Sequence, residues 1–276
     1  MHIFRHLEGG VNVASVIAES GDGTVGKALS VLDAVASFGR PVRFGELLSV
    51  SPYPKATLYR LVQVLTKQSM LTYDPDRQTY APGLRLVRLA HAAWQNASLA
   101  PIARPYLEAL SAEVSETIHL AQLDGGQVLY IDKINARDPL QMYSQAGKVA
   151  PAYCTGVGKA MIAFLPEEQL EPILRQQSYH PFTAHTLSDQ ESLRAELVQI
   201  AKRGHAYDRE EHEPGIICVS VPILTRAGRI LGAVSVTSST ERTDLSGLDV
   251  HLPRIRAAVT SIAGEAQDWR FPDAAE

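Results

Sequence analysis

Two hydrophobic periods alternate along the chain, and each change of period marks a change of element. From Val25 the apolar positions Ala28, Leu29, Leu32, Val35 and Ala36 recur at the spacing of one helix face, until Gly39 and Pro41 stop the pattern. A short second helix is predicted over Phe44 to Leu48. After Ser49-Val50-Ser51-Pro52 a third begins with Pro54 at its first position, where the missing N–H removes no hydrogen bond. In that third helix Leu58, Leu61, Val62 and Leu65 share one face, which leaves Ala56, Arg60, Gln63 and Lys67 on the other. The period then falls to two: Leu71-Thr72-Tyr73, the turn Asp74-Pro75-Asp76-Arg77 and Gln78-Thr79-Tyr80 predict a β-hairpin. Pro82 and Gly83 close this module, and Leu84, Val87, His91 and Trp94 predict a helix that carries the chain onward.

Beyond residue 100 strands and helices alternate irregularly. Ile118 to Leu123 and Val128 to Asp132 flank Asp124-Gly125-Gly126-Gln127 as a second hairpin. Ser188-Asp189-Gln190-Glu191 is a capping box ahead of Leu193, Leu197 and Ile200 at helical spacing. Ile217 to Leu224 and Ile230 to Thr237 are strand candidates joined by Thr225-Arg226-Ala227-Gly228, and a C-terminal helix carries Leu248, Leu252, Ile255, Val259 and Ile262. Grouped strands with flanking helices, without strict βαβ alternation, predict an α+β fold with an antiparallel sheet.

The 276 residues suit two domains. The expected organisation is a mobile leader over 1–23, a winged helix-turn-helix over 24–83, a helical linker over 84–102, a ligand domain over 103–268 and a tail over 269–276. Charge sharpens the division. Residues 24–90 hold nine Lys/Arg and four Asp/Glu, net +5, whereas 91–276 hold sixteen and twenty-three, net −7, within an overall −4. A basic module on an acidic body implies a polyanionic partner for the first part only. Two cysteines, Cys154 and Cys218, are too few for a disulfide framework and lack zinc-ribbon spacing, which fits a reducing cytoplasm. No signal segment or membrane span is legible, so no membrane partner is expected.

A helix-turn-helix sets the N-terminal end of its second helix in the DNA major groove. Lys55, Thr57, Tyr59 and Arg60 occupy that end, and Arg60 has the fork geometry to pair with guanine. Any isolated basic helix reads first as a solvated surface, but the preceding short helix, the tight turn and the following hairpin favour duplex DNA as the partner. Arg43 at the start of the second helix is a candidate phosphate contact. Arg77 at the hairpin tip either reaches the backbone or minor groove or is simply exposed.

The order of helix, PKATLYRL recognition helix and wing, followed by PAYCTGVGKAM, YDREEHEPGIICVSVPI and GRILGAVSVT, resembles the IclR family of bacterial regulators over residues 25 to 265. The resemblance implies a winged helix-turn-helix joined by a helix to a GAF-like effector domain, assembled as a homodimer or homotetramer, with operator DNA and a small-molecule effector as partners and no cofactor. It places the effector pocket on Gly156, Val157, Asp208, Cys218, Ser235 and Thr237, with Met142, Ala150 and Ile216 as apolar lining. The wording of PAYCTGVGKAM, with Met142 and Tyr143 upstream, is similar to members that sense sugar acids such as 2-keto-3-deoxygluconate.

The residues themselves allow such a pocket. Gly156-Val157-Gly158 ahead of Ala160-Met161-Ile162-Ala163-Phe164 is a glycine turn into a helix, either to hold a carboxylate on free N–H groups or only to pack tightly. Ser235 and Thr237 share a strand face, as do Cys218 and Ser220. Cys218 is otherwise a small buried hydrophobe. Asp208 can accept from ligand hydroxyls but repels a carboxylate set beside it, so a hydroxylated acid with its carboxylate at Gly156 satisfies both. His119 is expected as a hydrogen-bonded interior or pocket residue, and Glu210, Glu211, His212 and Glu213 as a solvated charged loop. No HExxH, CxxC or GxSxG motif is present, so neither a metal site nor a catalytic residue is assigned. Two alternatives remain: a hydrolase built on Cys218, His119 and Asp208, and a regulator whose large domain only dimerises.

Overall fold

The computed structural model describes residues 23–267 and Trp269, so the leader expected over 1–23 lies, apart from Gly23, outside the described residues, as does the tail from 270 onward. The chain divides into two compact units, with the boundary between Ala93 and Trp94.

In the first unit α1 (Gly23–Ser37) buries Val31, Leu32, Ala34 and Val35 and is closed by Gly39 in the left-handed region. Two residues, β1 (Val42–Arg43), then pair with a later strand, an element too short to carry a visible period. The second helix, α2 (Phe44–Val50), buries Leu47, and α3 (Lys55–Lys67) buries Leu58, Leu61, Val62 and Leu65. Pro54 caps α3 instead of opening it. Its ψ of 145° is extended while its carbonyl already accepts from Leu58 N, so Lys55 is the first helical residue. The hairpin β2 (Leu71–Asp74) and β3 (Thr79–Pro82) completes a sheet of order β1-β3-β2. Its turn is set by the Asp74 carboxylate, which accepts from the backbone N–H groups of Asp76 and Arg77.

Downstream, α4 (Leu84–Ala97) ends before Ser98-Leu99, and α5 (Ala100–Val114) starts afresh. The break is fixed by side chains: Ser98 Oγ donates to Trp94 O, and Leu99 N donates to Gln122 Oε1.

The second unit is built on a six-stranded antiparallel sheet: β4 (Thr117–Asp124), β5 (Gln127–Ile134), β6 (Val149–Pro151), β7 (Ala206–Arg209), β8 (Ile216–Leu224) and β9 (Ile230–Ser239), in the order β6-β5-β4-β9-β8-β7. Gly125 and Gly126, both with positive φ, make the two-residue turn between β4 and β5. One face of the sheet presents Ile118, Leu120, Val219, Val221, Val234 and Val236 to α5 and to the C-terminal helices. Those are α9 (Leu245–Asp249) and α10 (Leu252–Glu265), where one helix was expected. Pro253 has no N–H to continue α9, which forces the restart. The opposite face carries α6 (Gly156–Ile162), α7 (Glu167–Gln176) and α8 (Gln190–Arg203) over Ala121, Val128, Tyr130 and Ala233. The cap of α8 is Asp189, one residue later than the capping box implies, because its carboxylate takes both the N–H and the hydroxyl of Ser192. No helix among the described residues is long and apolar enough to cross a membrane.

At Gly83 the chain leaves the hairpin across bare backbone. A Cβ there would lie 2.2 Å from Ser69 O, and Gly83 N donates to Met70 O. Gly83→Ala is therefore expected to destabilise the first unit by roughly 1–3 kcal/mol, read as a lowered unfolding midpoint by circular dichroism; an unchanged midpoint would mean that the backbone yields.

Candidate functional site

Each unit carries a candidate site of its own. In the first, the apolar face of α3 turns Leu58, Leu61 and Val62 inward, so Lys55, Ala56, Tyr59 and Arg60 are left exposed on the opening turns, with Thr57 half-buried. The Tyr59 ring, 54% exposed, meets Phe44 of α2 edge-on at 5.8 Å, which orients it without covering it. Arg43 stands exposed at the cap of α2, its N–H accepted by Glu46 Oε2 at 2.9 Å. Glu46 is also paired with Arg40, so that carboxylate is spoken for and leaves Arg43 available. Arg77 sits at the hairpin tip with 79% of its side chain exposed, 4.0 Å from Asp74. A hydroxyl-bearing and basic helix end flanked by arginines is the surface that a phosphate backbone needs.

In the second unit the strand period of two writes a polar floor onto the sheet. Asp208, Cys218, Thr237 and Thr117 are successive cross-strand partners on β7, β8, β9 and β4, and Ser220, Ser235 and His119 form the row beside them. These rows lie under α6, and between them is a cavity of about 380 Å³ including its mouth. Met142, Gly156, Val157, Asp208, Ile216, Cys218, Ser235 and Thr237 all line it. Ala150 does not. It pairs with Val128 at the sheet edge and is 2% exposed within the apolar core, so its small side chain packs the wall from behind.

His119, Tyr130, Ser144, Thr155, His212 and Glu213 complete the lining. The His119 Nδ1 lies 3.3 Å from Ser235 Oγ and 3.2 Å from Thr237 Oγ1, and its Nε2 lies 2.8 Å from Ser144 Oγ. The run Glu210 to Glu213 is not a solvated loop. Glu211 is buried and ion-paired with Lys159 of α6, which is itself 0% exposed, and the Glu211 N–H donates to Asp208 Oδ1 at 2.8 Å. Glu213 accepts the Tyr143 N–H at 2.9 and 3.1 Å. A lysine inside the apolar run of α6 was the available sign that a buried acid had to exist elsewhere.

Gly156 resolves its own ambiguity in part. A Cβ there would stand 2.4 Å from Cys218 Sγ and 2.7 Å from Ser220 Oγ, so glycine is needed for α6 to approach β8 at all. Tight packing is thus one established role of that residue, and it also lines the cavity.

Comparison with known proteins places this geometry. Residues 24–75 match the model described as the IclR helix-turn-helix domain, and residues 91–264 match the one described as the bacterial transcriptional regulator IclR C-terminal domain. The chain belongs to the IclR family. The HTH-type transcriptional regulator XynR of Escherichia coli (strain K12) is 31% identical over 80% of this chain and 88% of its own. KdgR of the same organism is 29% identical over 90% and 95% respectively. The crystal structure of the Thermotoga maritima IclR superposes with a TM-score of 0.70 at 27% identity, covering 88% of this chain and 98% of that one. This IclR-family protein is accordingly a DNA-binding transcriptional regulator with an effector-binding C-terminal domain, in a family of regulators and not of enzymes.

Ionisation in the cavity agrees with that role. Burial pushes the Cys218 thiol up to about 12, and the nearby Asp208 adds to the effect, the reverse of what a nucleophilic thiolate needs. Burial, aided by Lys133, lowers His119 to about 3, so its imidazole is neutral and serves as a hydrogen-bonding group, not a base. Both directions run against the hydrolase alternative. Burial also raises Asp208 to about 7, reinforced by Glu211 and opposed by Lys159.

Removing one partner of the buried pair leaves the other charge stranded. Lys159→Met is expected to cost roughly 3–5 kcal/mol in urea unfolding, and Lys159→Met/Glu211→Leu distinctly less; equal losses would show that packing, not charge, dominates there. Asp208 supplies a pH test. Its folded-state pKa lies above the ordinary 3.8, so between about pH 4 and pH 7 the unfolded chain loses the proton first and native stability falls as pH rises. Asp208→Asn cannot ionise, and its unfolding midpoint relative to the parent should therefore rise from pH 5 to pH 8. A constant difference would contradict a buried, protonated Asp208.

Proposed function

We propose that the protein controls a catabolic operon by binding an operator through Lys55, Thr57, Tyr59 and Arg60 of α3, with Arg43 and Arg77 on the flanking backbone, and that a small hydroxylated carboxylic acid in the cavity modulates that binding. The observation that carries the effector half is the cavity itself: a space beneath α6 whose floor is a continuous set of hydroxyl, thiol, imidazole and carboxyl groups on neighbouring strands. A domain that only dimerised would have no use for a void over a polar floor, which packed apolar side chains would fill to greater stability. Asp208, Ser235 and Thr237 match ligand hydroxyls, and the opening turn of α6 at Gly156 and Val157 takes the carboxylate. The resemblance of PAYCTGVGKAM to sugar-acid-sensing members supports an acid of the 2-keto-3-deoxygluconate type. A homodimer or homotetramer would read an inverted repeat with half-sites about one helical turn, roughly 34 Å, apart.

Fluorescence anisotropy on DNA from upstream of the protein's own gene, at fixed salt with and without sugar acids, tests both halves. Arg60→Ala/Lys55→Ala is expected to weaken binding by at least about tenfold and to flatten its salt dependence, with folding intact. Binding equal to that of the parent would refute the assignment of α3. A midpoint that shifts with one acid supports the effector reading, whereas indifference to every acid counts against it.

A further inference from the structure

The cavity has two ends, and the groups at one of them have been given no role in holding a ligand. Tyr143 donates its N–H to the Glu213 carboxylate, and the hydroxyl of the next residue, Ser144, lies 2.8 Å from His119 Nε2. Adjacent residues thus hold Glu213 and His119 at a common end. Gly156 marks the other, packed against Cys218 and the backbone of Asp208. Between Cys218 on β8, against which Gly156 packs, and His119 on β4 lies β9, two strand spacings or about 10 Å between backbones. A ligand that touches both ends must be a chain of several carbons.

The charge at the far end is also one-sided. Among the described residues that line the cavity none is Lys or Arg. The nearest ammonium groups are engaged: Lys159 with Glu211, and Lys133 with the carbonyl of Ser144 at 2.9 Å. His212 lines the same end with Nδ1 3.8 Å from Glu213 Oε1. Glu213, an acceptor only, faces the space, and among the described residues the one ammonium that its charge reaches, that of Lys133, lies outside the lining.

Resting on the reading of the cavity as an acid-binding site, we propose that Glu213 and the Ser144 hydroxyl that His119 orients form its specificity pole: they take hydroxyls at the end remote from the ligand carboxylate, and Glu213 excludes ligands with a second negative charge there. Two like charges at close range in a poorly solvated space repel strongly, so exclusion follows from the same side chain that recognises the hydroxyl.

Calorimetric titration of the full chain with gluconate, glucarate, glycerate and glucitol tests this. Gluconate is expected to bind at least about tenfold tighter than glucarate, which replaces its terminal hydroxymethyl group by a carboxylate, and than glycerate, which is too short to reach both ends. Glu213→Gln keeps an acceptor oxygen for Tyr143 N and should shrink the gluconate-to-glucarate ratio by about tenfold. His119→Gln should weaken gluconate by a larger factor than it weakens glycerate, because only gluconate reaches Ser144. Equal binding of gluconate and glucarate by the parent, or an unaltered ratio in Glu213→Gln, overturns the proposal. Glucitol binding more tightly than gluconate, and losing affinity in Glu213→Gln, would leave the pole standing and remove the acid from the functional reading. Binding of none of the four would overturn both.

Discussion

The second unit depends on how closely α6 can lie on the sheet. With glycine at 156 the helix settles onto β8 without a side chain as spacer, and with glycine at 158, where a Cβ would stand 2.5 Å from the backbone of Ala152, it also closes onto the segment that follows β6. That approach has two effects. It roofs the polar rows of β7, β8, β9 and β4 with backbone, and it drives Lys159, one turn further along, into the interior at zero exposure. A buried ammonium cannot stand alone, so the segment after β7 must return to it with Glu211. The same return hangs the Glu211 N–H on Asp208 and delivers His212 and Glu213 to the cavity. One steric constraint therefore accounts for the roof, the buried pair and the placement of His212 and Glu213 in the lining.

The electrostatics follow from that placement. Lys159 and Glu211 are ion-paired behind the cavity, while Asp208 at its floor is left buried beside that second carboxylate. Its carboxyl is pushed into the neutral range, where it can donate as well as accept. His119 moves the opposite way for the same reason, since burial penalises whichever form is charged. The cavity thus presents mostly uncharged hydrogen-bonding groups, suited to hydroxyls and carbonyls, with Glu213 as its charged exception.

Legibility in the sequence divided along physical lines. The helices and hairpins with a clean period, such as Leu58-Leu61-Val62-Leu65 or the strands around Gly125-Gly126, were readable because their burial is one-sided. The two-residue β1 was not, since it exists only through its pairing with β3. Shared parity made Ser235 with Thr237, and Cys218 with Ser220, legible as strand-face pairs; that these meet Asp208 and His119 in common rows is a matter of register across four strands, which no single segment encodes. The run Glu210 to Glu213 misled because charge density ordinarily signals solvent. Its partner, Lys159, lies fifty-two residues earlier, within an apolar run where a lysine is easily passed over.

The sheet can hold this much buried polarity because its two faces are given different tasks. Toward α5 and α10 the strands present Ile118, Leu120, Val219, Val221, Val234 and Val236, an uninterrupted apolar layer. Each such side chain, fully buried, contributes about 1.5–3 kcal/mol, and none of that depends on the cavity. The opposite face is then free to carry His119, Cys218, Ser220, Ser235 and Thr237, where the Cys218–Ser220 contact and the bonds among His119, Ser235 and Thr237 keep the cost of burial low without supplying net stability. Polar substitutions on the first face would erode the fold, whereas exchanges among polar residues on the second alter what the cavity accepts while the fold persists. Strand parity, the simplest feature of the sequence, is what separates those two outcomes.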